Sequence, residues 1–234
     1  MIPIGLFDKL FHKAPKERKY ATTLNGWAPI YSQFGTNIYA SDVVQQALSC
    51  IVEEFKKALG IPVGFDTDVN AAALGEATWG CTKDVENSIY ITIGTGVGVG
   101  VIANGKPYHG MIHPEGGHIL LSRHPQDPMV GSGCPFHENC MEGLAAGPSL
   151  EKRWGVKGAE LAGRPEVWEL EAWYIAQAIT NYIMILSPQR IICGGGVMHQ
   201  DCLLPMIRKN VAEMVNGYIK GKGMDDLENY IVGV

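Results

Sequence analysis

Apolar positions recur along this chain in two periods, and the changes of period mark the elements. From Ser41 onward, Val44, Leu48, Ile51, Val52 and Phe55 follow helical spacing; Ser41 is placed to cap the start, and Gly60 and Pro62 to stop the run. Ile61 to Phe65 is a short apolar run that predicts a buried strand. Asp66-Thr-Asp68-Val-Asn70 leads from it into a helix that opens on small residues, Ala71 to Ala73, and continues to Trp79. A strand that delivers an acidic residue to a helix N-terminus fixes a carboxylate at a sheet edge. Ser88 to Ile93, rich in β-branched and aromatic residues, is the clearest strand. Beyond it, Gly94-Thr95-Gly96-Val97-Gly98-Val99-Gly100 alternates glycine with β-branched residues. Val101 to Ala103 continues to an Asn104-Gly105 hairpin turn and a return through Tyr108. The glycines therefore lie where two antiparallel strands meet, with backbone N–H groups free to approach a phosphate.

The second half repeats the alternation of helix and strand. Met141 to Trp154 has helical character broken by Gly143, Gly147 and Pro148. Glu166 to Leu186 predicts a long helix with Val167, Leu170, Tyr174, Ala178, Tyr182 and Ile185 at its apolar positions, ended by Pro188. Arg190 to Cys193 reads as a short strand, followed by a second glycine turn, Gly194 to Gly196. Asp201 to Tyr218 reads as a helix with Leu204, Ile207, Val211 and Val215 on one face. Residues 1 to about 40 show no period, only a charged cluster (Lys13, Lys16, Glu17, Arg18, Lys19) and scattered aromatics, which predicts a loosely ordered arm.

Composition narrows the class. A chain of 234 residues with 46% hydrophobic content builds one large domain or two small lobes. No apolar run is long enough to span a bilayer, and the N-terminus lacks a signal-peptide layout, so a cytoplasmic protein with no membrane partner is expected. A formal charge of -5 offers no basic field for nucleic acid. Cys50, Cys81, Cys193 and Cys202 are scattered and read as reduced.

The remaining two of the six cysteines are not scattered. Cys134, His137 and Cys140 form a Cys-x-x-His-x-x-Cys pattern among turn residues Gly131, Gly133 and Pro135, with His113, His118 or His124 available as a fourth donor. Thiolate and imidazole ligands at this spacing suit tetrahedral zinc, and a closed four-ligand site is structural. In a loop with little apolar material, metal binding supplies folding energy that burial cannot. The ion would gather the flanking carboxylates Glu115 and Glu142.

Five motifs occur in order: Phe65-Asp-Thr-Asp-Val-Asn-Ala-Ala-Ala-Leu-Gly-Glu76, Tyr90-Ile-Thr-Ile-Gly-Thr-Gly-Val-Gly-Val-Gly100, His113-Pro-Glu-Gly-Gly-His-Ile119, Gly133-Cys-Pro-Phe-His-Glu-Asn-Cys-Met-Glu-Gly143 and Ile191-Ile-Cys-Gly-Gly-Gly-Val-Met198. Together they resemble the ROK sugar kinases (repressor, open reading frame, kinase), and within that family the bacterial fructokinases. The resemblance runs from about Phe55 to the end and implies an α/β, actin-like ATPase (ribonuclease H-like) fold. It also implies ATP and Mg2+ as cofactors, zinc, a hexose substrate and a homodimer.

The resemblance further implies residue roles. Asp68 matches the catalytic base, which a reading without the resemblance takes as a helix cap. Asn70, Glu115, His118 and Glu142 fall at the sugar site. Gly94, Thr95, Gly96 and Gly98 match a phosphate loop, and Gly194, Gly195 and Gly196 the turn beneath the adenosine. His118 joins Cys134, His137 and Cys140 as the fourth metal ligand.

The family's opening Asp-x-Gly-Gly-Thr loop and closing Leu-Gly-x-x-Ala-Gly segment do not occur in the sequence. The expectation is therefore a partial kinase core over residues 53–234, lacking part of the N-terminal lobe and the C-terminal end, with slowed turnover. Residues 1–52 form an arm that resembles, through Tyr31-Ser-Gln-Phe-Gly-Thr-Asn-Ile-Tyr39, the start of a tailed-phage portal protein. A non-catalytic, sugar-sensing ROK protein is the alternative, although the arm shows no helix-turn-helix.

Overall fold

The structure, a computed structural model, describes residues 38–234 apart from Phe65, without the side chains of residues 38–48 and Lys222. Most of the expected N-terminal arm, residues 1–37, thus lies outside the described residues. The chain divides into two compact units, Met1–Phe65 and Asp66–Val234.

In the first unit, helix α1 (Ile38–Leu59) starts three residues before Ser41, which places Ser41 within the helix rather than at its cap. An N-cap serine is a preference that a longer run overrides. Gly60, at φ 65°, ends the helix by donating its N–H to Lys56 O at 2.9 Å, as a left-handed C-terminal glycine does. The buried strand expected over residues 61–65 is not found: Ile61 to Gly64 have no strand partner, and Ile61 is exposed. Pro62 lacks the N–H that a strand would give to its ladder.

The second unit is built on one sheet. Strand β1 (Ser88–Ile93) pairs antiparallel with β2 (Val97–Ala103), which pairs antiparallel with the short β3 (Lys106–Pro107). On its other side β1 pairs parallel with β4 (Arg190–Gly194), and β4 pairs parallel with β5 (Ile231–Gly233), giving the order β3-β2-β1-β4-β5. The β2–β3 turn is the predicted Asn104-Gly105, both at positive φ as a two-residue turn of this type requires.

The register sorts residues by face. Ile89↔Val101, Ile91↔Val99 and Ile93↔Val97 pair across the hairpin and form one apolar face. Tyr90↔Gly100 and Thr92↔Gly98 form the other, and there helix α2 (Asp68–Thr78) lies close. A Cβ on Gly100 would stand 2.6 Å from Val69 O and one on Gly98 3.2 Å from Val69 Cβ, so the strand glycines let the helix backbone approach.

The apolar face joins a core with helices α3 (Met141–Ala145), α4 (Gly147–Trp154), α5 (Pro165–Leu186) and α6 (Leu203–Val215). The break between α3 and α4 falls at Ala146; Gly143 stays helical, and Gly147 and Pro148 open α4 rather than end its predecessor. In α5 the expected apolar row is buried except Ile185, which is 75% exposed in the last turn. In α6 the core row is Leu203, Ile207, Val211 and Val215, so Leu203 replaces Leu204 by the four-residue step. Two short helices, α7 (Lys222–Asp225) and α8 (Leu227–Tyr230), lead into β5. Among the described residues no helix is long and apolar enough to cross a membrane.

Candidate active site and metal centre

The two glycine turns meet at the carboxyl ends of the adjacent parallel strands β1 and β4. The first, Gly94 to Gly96, closes the β1–β2 hairpin with Gly94 N donating to Gly96 O at 2.9 Å. Gly147 N, at the start of α4, donates to Gly94 O at 2.7 Å and anchors the turn from the opposite side. The second turn leaves β4 with Gly195 at φ 92°, its Cα pressed against the Ile93 backbone so that no side chain fits there. Thr95 and Gly196 are exposed at the tips. Ligands in open α/β sheets bind outside the carboxyl ends of parallel strands, where loop backbone donors converge.

Asp68 comes to the same end of the sheet on α2. Thr67 caps that helix, its Oγ1 accepting Asn70 N at 3.1 Å, so the capping duty falls on Thr67 and not on Asp68. Asp68 occupies the first turn, exposed, its Oδ1 accepting only the adjacent Val69 N. The loop ahead of it is held by Asp66, which accepts Thr67 N at 2.8 Å and Asn70 Nδ2 at 2.7 Å and pairs with His109 Nε2 at 3.0 Å. Burial opposes ionisation of Asp66, yet the Asn70, Thr67 and His109 contacts together hold its carboxyl below the usual range. Asn70 is buried, and its Oδ1 has no partner.

On the other sheet face, the single turn Gly116–His118 packs onto β2, where a Cβ on Gly116 would stand 2.7 Å from Val99 Cβ. Tyr182 of α5 donates its hydroxyl to Gly116 O at 2.8 Å and fixes this turn. Glu115 precedes it, exposed, with Oε1 2.9 Å from His113 Nε2. His118 ends it and turns its two nitrogens to different neighbours. Nδ1 lies 3.9 Å from Cys134 Sγ and 3.7 Å from Cys140 Sγ; Nε2 lies 3.9 Å from Glu142 Oε1.

The donor atoms of His118, Cys134, His137 and Cys140 all lie within 4.8 Å of one another, with Cys134 Sγ 3.7 Å from His137 Nδ1. A tetrahedral zinc site with ordinary bond lengths has ligand–ligand edges of roughly 3.4–3.8 Å, so the set needs only a small contraction. The sulfurs are also provided for. Phe136 N donates to Cys134 Sγ at 3.5 Å and Gly143 N to Cys140 Sγ at 3.3 Å, with Cys140 at the N-cap of α3. In the metal-free protein burial pushes the Cys140 thiol up to about 11, against the pull of the Gly143 N–H. His113 and His124 are engaged elsewhere, His113 with Glu115 and His124 with Gln126 N and the Trp173 ring.

Glu142 links the two halves of the site. It lies two residues after Cys140, in the first turn of α3, and its Oε2 accepts Val97 N at 3.0 Å, directly behind the first glycine turn. A Cβ on Gly96 would stand 2.8 Å from the same oxygen.

A second set of residues around the loop went unnoticed in the sequence. Asp127, with no exposed side-chain surface, accepts Arg153 Nε at 2.8 Å, Tyr174 OH at 2.7 Å, Met129 N at 2.9 Å and Arg123 Nη1 at 3.2 Å. Burial opposes its charge, but Arg153, the Met129 N–H and Tyr174 together hold its carboxyl below the usual range. The only sequence signal was the i, i+4 spacing of Arg123 and Asp127 inside a stretch already assigned to metal.

A ROK family profile matches residues 26–228. A protein named putative fructokinase from Bacillus subtilis is 50% identical over 182 residues, covering 77% of this chain and 60% of that protein. The fructokinase of Zymomonas mobilis is 45% identical over 184 residues, covering 78% of this chain and 60% of its own length. The chain thus spans about 60% of the length of these curated relatives. Among solved structures, a ROK hexokinase from Thermus thermophilus superposes with a TM-score of 0.63 at 28% identity, covering 72% of this chain and 61% of that one. A ROK glucokinase from Streptomyces griseus, crystallised with glucose and AMPPNP, shares the fold with a TM-score of 0.59 at 22% identity.

Proposed function

We propose, from the premise that this chain belongs to the ROK family, that its site transfers the γ-phosphoryl group of ATP to a hexose, fructose in the first instance, giving fructose 6-phosphate and ADP. The observation that carries the reading is the meeting of two glycine turns at the ends of β1 and β4, with Glu142 bonded behind one of them and facing the metal set. Relatives named fructokinase support the choice of sugar.

In this reading the backbone donors of Gly94, Thr95, Gly96 and Gly98 receive the ATP phosphates, and Gly194, Gly195 and Gly196 underlie the adenosine. Asp68 takes the proton of the sugar hydroxyl as that oxygen bonds to phosphorus and the bond to ADP breaks. Phosphoryl transfer asks the protein for positioning and charge neutralisation, and the exposure of Asp68, next to the Val69 that packs on Gly98, supports the first of these. Asn70, Glu115, His118 and Glu142 hold the sugar.

Zinc fits His118, Cys134, His137 and Cys140 by the chemistry and spacing of that donor set, and would supply a fixed cross-link rather than a reaction step. Magnesium, a hard oxygen-seeking ion, suits none of these sulfur and nitrogen donors and would arrive on the nucleotide phosphates. A homodimer and the absence of a nucleic-acid partner complete the proposal, the first from the family resemblance and the second from the net charge of -5.

The test is calorimetric titration with a hexose panel and AMPPNP, together with a coupled ADP assay. We expect fructose to bind and Asp68→Asn to retain that binding while phosphoryl transfer falls at least about 100-fold. Transfer that survives the Asn substitution overturns the assignment of the base, and binding of neither sugar nor nucleotide overturns the site.

A further inference from the structure

The cysteine–histidine loop is held by an arginine as well as by its own donor set. Arg123 Nη1 donates to Met129 O at 2.9 Å and to Asp127, while Nη2 donates to Glu138 O at 2.9 Å and to Gly131 O. These carbonyls come from both arms of the loop: Met129 and Gly131 precede Cys134, and Glu138 follows His137. Lys152, by contrast, reaches Ser132 O alone, and Asn139 reaches Leu121 O alone. Among the described residues Arg123 is the side chain that spans both arms.

Its own position is fixed from below. Asp127 is tied to Arg153 of α4 and Tyr174 of α5, and Tyr174 OH also accepts His124 N at 3.0 Å, next to Arg123. Arg153 Nη2 donates in turn to Leu144 O of α3 at 2.6 Å, so the network ends on the helix that Cys140 caps. A planar guanidinium with five donors can satisfy carbonyls in several directions at once, which an ammonium cannot do with the same geometry.

We propose that Arg123 is a positioning residue for the metal loop, holding both of its arms so that the four ligands stand ready before any ion binds. The inference deepens the metal reading above and rests on it. It reverses the expectation that metal alone folds this segment, because loop carbonyls that would otherwise face solvent already have a cationic partner. The ion then binds a prepared set and loses little of its binding free energy to ordering the chain.

The experiment compares wild type with Arg123→Met and Arg123→Lys as the full chain. It reads zinc affinity by competition with a chromophoric chelator and amide hydrogen exchange over residues 129–140, with and without metal. In the metal-stripped wild type the loop amides should stay protected. Arg123→Met should lose that protection and bind zinc at least about tenfold more weakly, the size typical of outer groups that orient metal ligands. Arg123→Lys should fall between the two, and exchange in α5 and β1 should be unchanged. Should the Met variant fail to fold, the Lys variant decides by the same readouts. Wild-type affinity and loop protection in the variants overturn the proposal, as does a stripped wild-type loop that exchanges like unfolded chain. If wild type takes up no zinc, the metal reading falls by itself, and the exchange comparison still decides the role of Arg123.

Discussion

Glu171 is fully buried in α5, its two carboxylate oxygens have no hydrogen-bond partner, and its nearest charge is Arg153 Nη1 at 3.8 Å. Burial pushes its carboxyl well above the ordinary range, Arg153 pulls the other way, and Asp127 adds to the rise. A carboxyl raised in the folded state favours folding fully below its unfolded value of about 4.3, and that contribution is lost as pH climbs through the raised folded value. Asp127 acts oppositely: its lowered carboxyl stabilises above about 3.9 and ceases to do so only in stronger acid. Thermal unfolding followed from pH 5 to 8 should therefore show wild type losing stability relative to Glu171→Gln as the pH rises. Parallel pH profiles for the two proteins would show that Glu171 does not titrate in this window.

At the level of elements, the glycine turns differ residue by residue. Gly195 combines a φ of 92° with close packing on Ile93, whereas a Cβ on Gly196 meets nothing within 4 Å and its φ is not positive. Gly195→Ala should cost about 2 kcal/mol or more in denaturant unfolding, from the left-handed conformation plus the clash, and Gly196→Ala under about 0.5 kcal/mol. Equal losses would mean that the turn is looser than described. These turns and their flanking strands were legible beforehand because β-branched runs ending in glycine leave few alternatives, and the Asn104-Gly105 turn specified its own geometry. The strand expected at Ile61 was not found because local apolarity says nothing about whether an edge is available to pair with. Leu204 was chosen over Leu203 because both are leucine, and only packing separates them. The four-ligand set was visible as spacing. The network of Arg123, Asp127, Arg153 and Tyr174 was not, since its contacts join residues as far as 50 apart in the chain.

For the whole molecule, the sheet order and its helices give the actin-like ATPase arrangement shared with the ROK hexokinase from Thermus thermophilus. Its core, with Ile89, Ile91, Trp168, Tyr174, Ile175 and Ile179 fully buried, lies in β1 and α5 rather than in the metal loop. With zinc in the proposed site, stripping it with a chelator should thus lower the thermal midpoint by several degrees while far-ultraviolet circular dichroism at 25 °C stays native-like. A stripped protein that has lost its helical signal would show that the core depends on the loop. His118 carries a last consequence. One imidazole ring looks toward the cysteines with one nitrogen and toward Glu142 with the other. In the proposed site, whatever a zinc ion contributes to the affinity for sugar, sugar must return in equal measure to the affinity for zinc, so saturating sugar would tighten the hold on the ion.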